Sequence, residues 1–216
     1  MLQQADYVLA KLDWMRVERI WPNGLRYLWT DAFGVVLLVS LHRRFGDTHW
    51  LDEAEELVAD VDRVLGRERG LRIGQAPDRD GQYFHYLAMW LFALGRLGEH
   101  RPAYRARAVA LAKDIHSAFV IPGVGVVWKM TEDLSAPYPG YGLGALDAFD
   151  GYVAYRLLDE DRARLRDRPD ARADRCAVRL PRHRPGSRAR HDAVARAFLS
   201  GRGLGQGPHE AVPGRS

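Results

Sequence analysis

Residues 82–97 read QYFHYLAMWLFALGRL, residue 98 is glycine, and residues 102–119 read PAYRARAVALAKDIHSAF. The first stretch is apolar on nearly every side, with Tyr83, Phe84, Tyr86, Leu87, Met89, Trp90, Leu91, Phe92 and Leu94. A helix of that composition has to be covered on most of its faces. The second stretch keeps its apolar residues on one stripe: Tyr104, Ala108, Leu111, Ala112, Ile115 and Phe119. That spacing predicts a helix with one wet face. Gly98 turns the chain between them. The unit is therefore a hairpin of one enclosed helix and one covering helix.

The same phrase occurs one unit earlier. Residues 32–44 are again apolar nearly all round, Gly46-Asp47-Thr48 makes a turn, and residues 50–65 are one-sided. In that last segment Leu51, Ala54, Leu57, Val58, Val61 and Leu65 face one way, while Asp52, Glu53, Glu55, Glu56 and Asp60 face water. Phe33 and Phe84 are 51 residues apart, and Gly46 and Gly98 are 52 apart. A leading helix is expected over residues 2–19, stopped by Trp21-Pro22-Asn23-Gly24. A third apolar helix is expected from Gly144 or Ala145 to Leu158. It follows a Gly/Pro-rich insertion at 120–142, in which residues 123–128 suggest a short β-hairpin. Alternation of enclosed and one-sided helices predicts an all-α, two-layer arrangement with the apolar helices inside. The repeat stops after the third inner helix, before its covering helix.

Composition divides the chain at Glu160. All six Trp and all nine Tyr precede that residue, and the stretch 161–216 holds one aromatic, Phe198. The same stretch carries 14 Arg, no Lys and six acids, which leaves 18 basic and 22 acidic residues before it. The basic pI of about 9.4 thus belongs to the tail. A nucleic-acid partner is not expected from it, since an arm for single strands would mix aromatics with its charges. The division expected is a helical-hairpin domain at 1–160 and an Arg-rich tail at 161–216. The tail reads as disordered, or as the out-of-frame translation of a GC-rich gene, which yields Arg, Ala, Pro, Gly and His.

The lone cysteine, Cys176, lies in that tail, so no disulfide or thiol chemistry is expected of the helical part. The N-terminal segment lacks the apolar core of a signal peptide. The longest apolar run, 33–41, is too short to span a bilayer. These features predict a cytoplasmic protein without membrane contact.

The phrase FGDTHWLDEA at 45–54 resembles the turn and outer helix of (α/α) toroid proteins. Taken with the recurring hairpin unit, the stretch 20–160 resembles the six-hairpin glycosidase superfamily, which includes the N-acylglucosamine 2-epimerase type of fold. The resemblance implies a partial (α/α) toroid, about two and a half hairpins of six. It implies a carbohydrate or other small polar ligand, and a site in the funnel at one end of the inner helices. With half the barrel absent, it also implies a chain whose own activity is in question and whose open apolar faces favour self-association.

Three segments lead into the inner helices. The first, residues 21–31, offers Trp29 for stacking on a sugar ring and Asp31 as a carboxylate catalyst; Asp31 equally suits a helix cap. The second, residues 77–86, offers Arg79 and Gln82 for binding, Asp80 as a candidate acid, and His85 as a proton carrier near neutral pH. A buried, satisfied histidine is the plainer alternative for His85. The third, residues 128–147, offers Trp128, Lys129, Tyr138 and Tyr141 as a lining and Asp147 as a third candidate acid. Glycoside hydrolysis needs two carboxyl groups, which makes a glycosidase-like reaction through Asp31, Asp80 and Asp147 the leading expectation. A sugar epimerase using His85 is the second, and a non-catalytic helical-repeat binding module the third. The sequence holds no HExxH, Cys cluster, P-loop or nucleophile elbow, so neither a metal nor a cofactor is expected.

Overall fold

The computed structural model describes residues 2–22 and 24–159; the tail expected at 161–216 lies outside them. Among the described residues, six helices carry the fold: α1 (Leu2–Val17), α2 (Leu28–Phe45), α3 (His49–Leu65), α4 (Phe84–Gly98), α5 (Pro102–Phe119) and α6 (Asp147–Leu158). Short strands accompany them: β1 (Gln82–Tyr83), β2 (Val120–Ile121), β3 (Gly125–Val126) and β4 (Lys129–Met130).

Helices α2, α4 and α6 stand side by side as the inner layer; α3 packs on α2, and α5 packs on α4 and α6. This is an arc of a two-layer (α/α) ring, with the apolar helices inside. In α4, Leu87, Trp90, Leu91, Ala93, Leu94 and Leu97 are buried. They are held between α2 on one side, α6 on the other and α5 behind. In α3 the buried residues are Leu51, Ala54, Leu57, Val58, Val61 and Leu65, the stripe that its sequence spacing predicts. The outer layer is laced by ion pairs. Arg16 of α1 meets Glu53 of α3 at 2.5 Å, and Arg101, just before α5, meets Glu55 at 3.0 Å and Asp52 at 3.1 Å. Exposed pairs of this kind are worth roughly 0–1 kcal/mol each, so apolar burial holds the layers together and the pairs help set their register.

Several boundaries differ from those the sequence suggests, for physical reasons. α2 begins at Leu28 and not after Asp31. Asp31 therefore sits in the first turn, where its carboxylate accepts the backbone N–H of Tyr27 at 3.2 Å. α4 begins at Phe84, because Gln82 and Tyr83 are drawn into antiparallel pairing with Met130 and Lys129. α6 begins at Asp147, later than either expected start. The short hairpin expected over 123–128 lies a few residues earlier: its strands are β2 and β3, with Val120 opposite Val126 and Ile121 opposite Gly125, because residues 122–124 form the turn. Among the described residues, no helix is long and apolar enough to cross a membrane.

Candidate functional site

α4 is flanked by α2 and α6 and backed by α5, which leaves the side of this inner layer opposite α5 open. The geometry of a helix puts His85, Met89 and Phe92 on one line of α4. Together with Trp29 of α2 and Asp150 and Val153 of α6, they border a groove of about 760 Å³. Trp128 and the segment 143–147 form its rim. A second groove, of about 840 Å³, runs along the other side of Trp29 and Phe33, toward Arg26 and Arg79.

The β1–β4 pairing builds the rim. Gly81 is in the left-handed region, φ 72°, and a Cβ there would fall 2.6 Å from the Met130 carbonyl oxygen. Only glycine lets the two strands approach so closely. The pairing sets Trp128 beside α4: its ring stacks on Tyr83 at 5.5 Å and lies 6.3 Å from His85. Trp29 approaches the same imidazole edge-on at 5.9 Å.

Three groups converge on His85 Nδ1 and its surroundings. The Trp128 Nε1–H donates to Nδ1 at 3.2 Å. Asp147 Oδ1 lies 3.6 Å from the same nitrogen, buried and without a hydrogen-bond partner. Asp150, one turn further along α6, has its carboxyl pushed above the usual range by burial, with the neighbouring Asp147 charge adding to the effect. Sequence reasoning misses Asp150. The signal that could have found it is a pair of acids three positions apart in an otherwise apolar helix, a spacing that sets them on one face.

The other expected site residues are placed as follows. Asp31 is almost fully buried, 1% exposed, under Trp21, whose Nε1–H donates to it at 3.0 Å, and 3.6 Å from Arg26. Burial raises its carboxyl, while Arg26 and Trp21 pull it back. It borders neither groove, and its contacts with Trp21 and the Tyr27 N–H hold the start of α2. Gln82, expected to bind substrate, is fully enclosed. Its carboxamide donates to the Arg69 and Glu132 carbonyls at 2.8 and 2.7 Å and accepts from Leu71 N–H at 2.9 Å. Its hydrogen bonds are used up in fastening these loop segments.

Lys129 is likewise enclosed, 5% exposed. Its ammonium lies 3.6 Å from the Tyr138 ring, 5.1 Å from that of Tyr141, and 3.2 Å from Asp80 Oδ1. Asp80 also accepts from the Tyr138 hydroxyl at 2.6 Å, and that bond, ahead of those from Lys129, lowers its pKa. Asp80, Lys129, Tyr138 and Tyr141 thus satisfy one another behind the rim. Arg79 lies over the Tyr27 ring at 3.9 Å and borders the second groove. Of the three expected acids, only Asp147 reaches the first groove, and it does so beside His85, Trp29 and Trp128. Among the described residues, no group of three His, Cys, Asp or Glu side chains is placed to hold a metal ion.

No protein-family model and no curated protein matches this sequence. Among solved structures, a D-mannose isomerase is similar to it, at 20% identity and a TM-score of 0.50, over 62% of this chain. The match covers 37% of the isomerase, so this chain spans well under half of that protein's length. At this identity the likeness bears on the fold, and it agrees with an arc cut from an (α/α) toroid.

Proposed function

We propose that this chain carries one wall of a sugar isomerase or epimerase site, with His85 as the group that moves the proton. The observation that supports this reading is the position of His85. It stands on the open face of an inner helix, between two tryptophans and 3.6 Å from a buried carboxylate oxygen that lacks a donor. Aromatic faces suit the C–H side of a pyranose or of an extended sugar, and an imidazole titrates where such chemistry runs.

Aldose–ketose isomerisation needs little more than this. A base takes the proton from C2, the electron pair forms the C1=C2 bond, and the C1 oxygen takes a proton from solvent water to give an enediol. The same base then delivers its proton to C1 while the C2 hydroxyl returns its own proton to water and becomes the ketone. Asp147, on the Nδ1 side, would balance the imidazolium formed midway. The likeness to a D-mannose isomerase supports a hexose-sized substrate. The glycosidase-like reading loses ground to it: Asp31 and Asp80 lie outside this groove, and the two acids that border it, Asp147 and Asp150, are three positions apart on one helix, where a hydrolase needs its two carboxyls across the bond.

Incubation of the protein with aldohexoses and ketohexoses in D2O tests the reading by mass spectrometry. Deuterium is expected to enter the sugar carbon next to the carbonyl, and His85→Asn is expected to lower that exchange by about 100-fold or more, within the range set for general acid–base catalysis. Absence of exchange, or exchange that survives H85N, overturns it.

A further inference from the structure

A ring nitrogen that carries a lone pair accepts a hydrogen bond, and one that carries a proton donates; it cannot do both. His85 Nδ1 faces one partner of each kind. The Trp128 Nε1–H, a donor only, lies 3.2 Å away, and Asp147 Oδ1, an acceptor when ionised, lies 3.6 Å away. The first contact requires a proton on Nε2 of the neutral ring, and the second requires it on Nδ1. Asp147 Oδ1 is buried, has no hydrogen bond, and is cut off from solvent. A buried carboxylate oxygen left dry is costly, and the His85 Nδ1–H is the donor within reach that would relieve it. Trp128, by contrast, is 39% exposed at the rim, on the short link between β3 and β4, and can leave its contact without opening the core.

We infer that Trp128 and Asp147 are alternate partners of His85 Nδ1, so that Trp128 selects the tautomer that cannot act as a base at Nε2 and Asp147 selects the one that can. With Trp128 bonded, Nε2 carries the proton. When the indole turns away, as it would to stack on a bound sugar, the proton moves to Nδ1, Asp147 takes the hydrogen bond, and the Nε2 lone pair is freed. Trp128 and Asp147 are then positioning residues, and the indole makes basicity dependent on occupancy of the groove. The remaining titratable and charged groups around the ring are Asp150 from α6, Tyr83 from β1, Tyr86 from the start of α4, and Lys129 behind Tyr83. Lys129 is neutralised by Asp80, and burial, first among its causes, pushes Tyr83 up to about 12. Asp147 and Asp150 are therefore the carboxyl groups that face the ring.

The purpose of this exchange of partners rests on the proposed function, but the tautomer itself can be read without turnover and without sugar. Long-range ¹H–¹⁵N NMR of the full chain, with the His85 signal assigned by its loss in H85Q, reads both tautomer and titration. In the wild type the neutral ring is expected to carry its proton on Nε2. In W128F the proton is expected to move toward Nδ1 and the His85 titration to shift to higher pH, since a bond to the neutral form is lost. In D147N the titration is expected to shift to lower pH by about one unit, since a nearby opposite charge favours the cation by that much or more. Two variants that shift one titration in opposite directions cannot both be acting by loosening the fold. A wild-type ring protonated on Nδ1, an unchanged tautomer in W128F, or an unchanged titration in D147N overturns the inference. The deuterium-exchange result stands or falls separately.

Discussion

Gly151 of α6 rests against the ring of Phe84 at the start of α4: a Cβ on Gly151 would lie 2.9 Å from both Cε1 and Cζ of that ring. This contact sets the distance between the two inner helices that carry Asp147 and His85. Phe84 is itself pinned by Phe119 of α5, ring centroids 5.4 Å apart, and is 1% exposed. The ring has no space to retreat into.

A Gly151→Ala change therefore pits two effects against each other. Alanine in a helix interior gains up to about 1 kcal/mol over glycine through propensity. Forcing an extra carbon into a filled core costs about 1–3 kcal/mol. With backbone and ring both held, the packing cost is expected to prevail, so G151A should unfold at a lower urea concentration than the wild type, and G151V lower still. A rise in stability for G151A would mean that α6 slides freely on α4.

Gln82 offers a cleaner test of how the rim is fastened. Its carboxamide satisfies two carbonyls and one N–H from the segments around residues 69–71 and 132. Gln82→Leu keeps the volume and strands all three groups. A buried group left unpaired costs about 1–3 kcal/mol; the bond to the Leu71 N–H is buried and those to the two carbonyls are partly so, and a loss of about 1–3 kcal/mol is expected by urea denaturation. The Leu71 amide should also exchange its hydrogen faster in Q82L than in the wild type. Unchanged exchange at Leu71 would show that water replaces the side chain at no cost.

These two contacts also mark where the sequence stops being legible. The alternation of enclosed and one-sided helices is written locally, because a helix repeats its environment every three or four residues; the α3 stripe and the enclosure of α4 follow from that alone. Gln82 meeting residues 69, 71 and 132 is written nowhere nearby. Its type suggests a ligand contact as readily as a structural one, and only the pairing of β1 with the distant β4 decides between them. Asp31, Lys129 and Asp80 are open to two readings for the same reason. Polar residues leading into a greasy helix attract a functional reading, and their partners (Trp21, Arg26, Tyr138) are identified by space and not by spacing. His85 and Asp147 are legible as candidates, but their meeting at one nitrogen is not.

The Asp80–Lys129 pair is expected to behave as a unit. The ammonium is almost wholly enclosed, while the Asp80 side chain is 38% exposed. Removing the carboxylate alone leaves a buried cation facing three rings. For fully buried pairs that costs about 3–5 kcal/mol; the open side of Asp80 reduces the figure, and about 1–3 kcal/mol is expected for Asp80→Asn. In the double variant with Lys129→Met, most of that loss should be recovered, giving a coupling of about 0.5–3 kcal/mol in a double-mutant cycle. Strictly additive losses would show that the tyrosines alone stabilise the cation.

Asp133 ties the turn at 131–136, and its effect has a definite sign with pH. Its Oδ1 accepts the Thr131 hydroxyl at 2.6 Å, the Ser135 hydroxyl at 2.8 Å and the Ser135 N–H at 3.1 Å. Those bonds, the Thr131 hydroxyl first, favour the ionised form and draw the pKa from 3.8 down to about 2. The unfolded chain therefore takes up its proton before the folded one does. The stabilisation is complete above about pH 4 and disappears as the pH falls toward 2. Thermal unfolding of the wild type and Asp133→Asn at intervals from pH 6 to pH 2 is expected to show a gap between them at pH 5 that closes by pH 2. The comparison removes the other carboxylates, which titrate in both proteins. A gap that stays constant across that range would mean that the asparagine variant loses packing or turn geometry and that the charge of Asp133 contributes nothing.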